Sequence, residues 1–90
     1  MPTVKFTRAL KRFYPDLQDQ ELSEAGLPAV LDQLDAQFPG LKDYIVDEQG
    51  RLRKHVNIFI DGSLIKDREN LTDAFQPESE IYIMQALSGG

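Results

Sequence analysis

The chain contains no cysteine. That excludes disulfides, thiolate metal ligands and a cysteine nucleophile together. Histidine is nearly absent as well: His55 stands alone beside Lys54, and no serine sits at a recognisable nucleophile turn, so His55 reads as a surface or edge residue. The six glycines are scattered, and "DGSLIK" lacks the spacing of a phosphate-binding loop, so no nucleotide or other cofactor is expected to bind this chain. No apolar run approaches the ~18 residues that span a bilayer, and "MPTVKFTRAL" lacks the continuous apolar stretch of a signal peptide. A cytoplasmic protein without a membrane partner is the expectation. Basic residues are in the minority, ten against fifteen acidic, and the net charge of −5 repels nucleic-acid backbones. The local exception is "KFTRALKRF", where Lys5, Arg8, Lys11 and Arg12 surround Phe6 and Phe13. It reads as a solvated strand face and loop rather than a nucleic-acid patch.

What is present describes one small domain. Ninety residues bury only a little over ~60% of the surface their unfolded chain exposes, and leave no room for a second core. Val4 and Phe6 alternate with Thr3, Lys5 and Thr7, the period of a half-buried strand, and a short strand around Gln18 to Leu22 returns beside it. Leu27, Val30, Leu31, Leu34 and Phe38 then form the stripe of an amphipathic helix, with Pro28 in its first turn and Pro39-Gly40 as its stop. "LKDYIV" predicts one more helical turn, and Gln49-Gly50 a turn.

In "KHVNIFI", Val56, Ile58 and Ile60 alternate with His55, Asn57 and Phe59, and Asp61-Gly62 is a hairpin signal leading to a short strand at Leu64 and Ile65. "ENLTDAF" predicts a short helical turn packing Leu71, Ala74 and Phe75. In "EIYIMQAL" a last strand alternates Ile81 and Ile83 with Tyr82 and Met84. The order predicts an α+β fold, a mixed sheet of four to five strands with one main helix packed across one face. Residues 1–86 form that domain, and 87–90 a flexible tail. The acidic pairs Asp32 and Asp35, Asp47 and Glu48, and Asp67 and Glu69 read as solvated helix faces or turns rather than metal or acid–base sites.

The distinctive chemistry lies in "QALSGG". Two glycines are the costliest residues to order and offer nothing to pack. A frayed end or a cloning scar would account for them. The other reading is a deliverable terminus: a free carboxylate is a poor electrophile, but adenylation by another enzyme turns it into an anhydride that sulfur or an amine can attack. Leu87, Ser88, Gly89 and Gly90 would supply a narrow segment, free of Cβ atoms at its end, able to enter a tight cleft in a partner.

The element order, "HVNIFIDG" and the final "EIYIMQALSGG" resemble the ubiquitin-like β-grasp sulfur carriers of the MoaD/ThiS family, over essentially the whole chain. The stretch from "LPAVLDQLDAQFPG" through "HVNIFIDG" is most similar to the branch used with cysteine synthase. The resemblance implies a carrier rather than an enzyme. An E1-like adenylyltransferase would use ATP and magnesium to adenylate Gly90, a sulfur donor enzyme would convert it to a thiocarboxylate, and a sulfur-accepting synthase would receive the sulfur. That synthase is cysteine synthase-like or, alternatively, the large subunit of molybdopterin synthase. A ubiquitin-like protein modifier and a non-catalytic β-grasp interaction domain remain as other readings.

Period two also places Phe59, Tyr82 and Met84 on the sheet face turned away from the helix. Three large apolar groups beside the tail form a candidate docking patch, with Arg51, Arg53 and Lys54 as its charged rim. A covering loop or a register shifted by one residue would make them core instead.

Overall fold

The last strand of the chain lies in the middle of its sheet. A computed structural model of the protein describes residues 1–23 and 26–85. Its elements are β1 (Thr3–Phe6), α1 (Arg8–Phe13), β2 (Gln20–Glu21), α2 (Leu27–Gln37), α3 (Leu41–Ile45), β3 (Val56–Ile60), β4 (Ser63–Leu64) and β5 (Glu80–Gln85). The sheet order is β2-β1-β5-β3-β4. β1 and β5 run parallel, while the other neighbours are antiparallel, giving the mixed sheet that the sequence predicts.

Alternation sorts the two faces. Val4, Phe6, Val56, Ile58, Ile81 and Ile83 are buried and join Leu27, Val30, Leu31 and Leu34 of α2 in one core. Ile60 and Phe38 pack against it only half-buried. Pro28 sits at the start of α2, where its missing N–H costs nothing. Beyond Phe38, Pro39 cannot continue the helix, and Gly40 turns the chain with φ of 93°. Asp35 Oδ1 accepts the backbone N–H groups of Gly40 and Lys42, both at 3.1 Å, which fixes the corner between α2 and α3. This carboxylate, one of the acidic pairs, therefore serves the chain's own backbone.

Four expectations are corrected. Residues 8–13, read as strand face and loop, form α1: Leu10 is fully buried, and Lys11 and Arg12 occupy the last turn, where the helix dipole favours cations. His55 lies in the turn before β3 rather than on the strand. β4 begins one residue early, at Ser63, although the Ile65 N–H still bonds the Ile58 carbonyl.

The fourth concerns "ENLTDAF", which is not helical. Asp67 accepts backbone N–H groups from Glu69, Asn70 and Thr72, and Asp73 accepts those of Lys66 and Asp67. Leu71 takes a φ of 54°, left-handed backbone through which a right-handed helix cannot run. Leu71 is nevertheless buried, with Phe75 half-buried and Ala74 exposed. No helix among the described residues is long and apolar enough to cross a membrane.

Candidate functional site

Strand β5 is held on both sides up to its end. Val56 of β3 pairs with Gln85, the Thr7 N–H donates to the Ile83 carbonyl at 3.2 Å, and the Gln85 N–H donates to Thr7 Oγ1 at 3.3 Å. The end of β5 is thus pinned by β3 on one side and by Thr7, the residue after β1, on the other. The tail residues Leu87, Ser88, Gly89 and Gly90, and Ala86 before them, lie outside the described residues.

On the sheet face opposite α2, Phe59 stands across from Tyr82 on one side and from Leu64 on the other. Asn57 is opposite Met84. The rings of Phe59 and Tyr82 lean together, centroids 6.5 Å apart and planes tilted by 39°. Phe59, Tyr82 and Met84 are half-buried rather than fully exposed, whereas Leu64 on the short edge strand is 49% exposed. The three residues picked from the sequence therefore do come together on one face. Leu64 completes the row and was missed, because β4 is too short to show a period. Lys5, opposite Tyr82, closes the far side with a 2.8 Å ion pair to Glu80. The hydrogen bond and charge of Glu80 raise the pKa of the Lys5 amine.

Arg51, Arg53 and Lys54, the expected rim, fall in the loop and turn before β3. Arg53 Nε donates to the Asp43 carbonyl at 2.7 Å, and Arg51 Nε pairs with Asp47 Oδ2 at 3.2 Å. Arg68, which no sequence pattern singled out, reaches over from the following loop. Its Nη1 donates to Asn57 Oδ1 at 2.8 Å, and its Nη2 to the carbonyls of Arg53 and Val56 at 2.6 and 2.9 Å. Asn57 thus joins the apolar face to the basic segment. Among the described residues, no three His, Asp or Glu side chains gather where a metal ion could be held.

A second surface feature was also missed. Phe13 and Tyr44 stack with centroids 5.1 Å apart, exposed by 55% and 37%, and Tyr14 meets both Tyr44 and Phe38 edge-on. Burial against these neighbours raises the Tyr14 pKa.

The profile of the ThiS family matches residues 4–90. No curated protein matches the chain. Among solved structures, a chain of the BexX/CysO complex from Amycolatopsis orientalis is similar with a TM-score of 0.83 and 19% identity, each chain covered in full. CysO from Mycobacterium tuberculosis is similar at 0.80 and 22%, covering 97% of this chain and all of the other. Small archaeal modifier protein 1 from Methanosarcina acetivorans is similar at 0.77 and 27%, covering 99% and 95%. The architecture is the ubiquitin-like β-grasp.

Proposed function

Because the chain belongs to the ThiS family, we propose that it is a sulfur carrier, a co-substrate of partner enzymes rather than an enzyme. The observation that carries this reading is the placing of β5, which is hydrogen-bonded on both sides through Gln85 and borders the Phe59, Tyr82, Met84 and Leu64 face. Docking on that face holds the end of β5 at a fixed distance from the partner's reacting groups, so binding and delivery are one event.

The chemistry assigned to Gly90 proceeds in two steps. In an E1-like adenylyltransferase using ATP and magnesium, a carboxylate oxygen of Gly90 attacks the α-phosphorus, pyrophosphate leaves, and an acyl-adenylate forms. Sulfide, HS⁻, delivered by a donor enzyme then attacks the acyl carbon, AMP departs with the bridging oxygen, a proton is lost, and a thiocarboxylate remains. Leu87, Ser88 and Gly89 thread the partner's cleft, where a side chain at the glycine positions would clash. The sulfur passes to an accepting synthase, of the cysteine synthase or molybdopterin synthase type. With no cysteine in the chain, no internal thiol competes for it.

A second reading, a protein modifier joined through Gly90 to a target lysine, is supported by the 27% identity to the Methanosarcina modifier. Intact-mass and tandem mass spectrometry of protein isolated from its native host separates the two. The carrier reading expects one sulfur in place of one oxygen at Gly90. A conjugate through an amide bond to lysine supports the modifier. A free acid that stays unchanged with activating enzyme, ATP, magnesium and sulfide overturns the carrier reading.

A further inference from the structure

In a chain of net charge −5, cationic side chains gather in one place. An open cleft of about 520 Å³ is lined by Arg51, Arg53, Lys54, His55 and Arg68, with Asp47 and Glu69 as its acidic members. Asp47 is already committed, since its carboxylate accepts the backbone N–H groups of Gln49 and Arg51 as well as Arg51 Nε. Arg68 is half-buried with only neutral oxygens as partners among the described residues, so its charge is oriented but not neutralised. Arg51 and Arg53 are both anchored through Nε, which leaves the terminal edge of each guanidinium, whose two Nη groups can meet a carboxylate with parallel hydrogen bonds, without a partner among the described residues.

We propose that this cleft is a docking site for an acidic polypeptide segment, whose carboxylates take the terminal edges of Arg51 and Arg53 while Lys54 and Arg68 supply the field. Three observations favour a polypeptide. The cleft is open rather than closed around a small anion, its cations are spread over a loop and a neighbouring turn, and it is continuous through Asn57 with the face bearing Met84 and Phe59. Val56, whose carbonyl Arg68 holds, pairs with Gln85, so an acidic segment seated here lies beside the departing end of β5.

The test uses isotope-labelled full-length protein titrated with a hexaglutamate peptide, followed by amide shifts, at low ionic strength and again at about 1 M salt, where screening reaches ~3 Å. Inorganic phosphate is titrated in parallel. Shifts confined to residues 51–57 and 68, lost at high salt and weakened about two- to fivefold by Lys54→Glu, the range of one exposed ion pair, are the expected result. Lys54 makes no hydrogen bond or ion pair among the described residues, so the variant should fold, and its unperturbed remaining spectrum checks this. Phosphate binding equal to or tighter than the peptide overturns the polypeptide as occupant. Absent shifts, shifts elsewhere, or indifference to Lys54→Glu overturn the site.

Discussion

Ser79, 2% exposed, donates its hydroxyl to Asp61 Oδ2 at 2.7 Å, and so ties the β3–β4 turn to the start of β5. Asp61 Oδ1 accepts the Glu80 N–H at 2.9 Å, and Ser79 Oγ accepts the Gln76 N–H at 2.8 Å. The turn itself has Asp61 and Gly62 at φ of 51° and 85°, the left-handed pair that tight hairpins require. Ser79→Ala should cost about 1–3 kcal/mol, because it removes the buried hydroxyl that donates to the Asp61 carboxylate and accepts the Gln76 N–H. Asp61→Ala should lower Tm by more than Asp61→Asn, which keeps an acceptor and tolerates positive φ. Thermal melts of the three variants check the order.

Acid should unfold the protein through its turn carboxylates. Asp47, Asp61, Asp67 and Asp73 are each held below the usual range, chiefly by backbone N–H groups, from Arg51, Glu80, Asn70 and Lys66 respectively. Their folded values lie below their unfolded ones, so the stability they contribute is complete above about pH 4 and fades as pH falls through the folded values. Tm should fall below about pH 4, and Asp67→Asn should flatten that fall.

Ile58 and Ile83 face each other across β3 and β5, each fully buried. Ile58→Ala or Ile83→Ala should cost about 2–5 kcal/mol in urea unfolding. Tyr82→Asp and Leu64→Asp, on the opposite face, should leave the urea midpoint nearly in place while weakening binding to the activating enzyme, measured by titration calorimetry.

Gly40 should not tolerate alanine. Its positive φ already disfavours a side chain, and an added Cβ would stand 3.1 Å from Tyr14 Oη. About 1–2 kcal/mol of strain is expected for the left-handed conformation, visible as a loss of Tm.

Deleting Gly90 should leave thermal stability unchanged while abolishing activation, since every sheet pair found among the described residues ends by Gln85. A large drop in Tm for the shortened chain would make the tail structural.

The sequence makes legible what periodicity controls. The stripe from Leu27 to Leu34 and the alternation from Val56 to Ile60 and from Ile81 to Met84 each repeat often enough to assign a face, and from them follow the sheet, its helix and the apolar face. Short elements escape: α1 buries a single side chain, Leu10, and six residues show no period. The helical turn expected over "ENLTDAF" fails at Leu71, whose φ of 54° spacing does not reveal. The sequence reads Arg51, Arg53 and Lys54 as the charged rim of the apolar face and not as a cleft, because Arg68 joins them only through tertiary folding.

The first and last strands of this chain meet at its centre, Thr7 and Gln85 being joined across 78 residues. A chain interrupted before Glu80 would leave β1 and β3 with no strand between them and α2 without the Ile81 and Ile83 part of its floor, so the sheet should not assemble during synthesis until β5 emerges. Folding therefore reports that β5 has been made. Chains ended before β5 should stay unfolded and fall to proteases, while those that fold already hold the strand from which the tail continues.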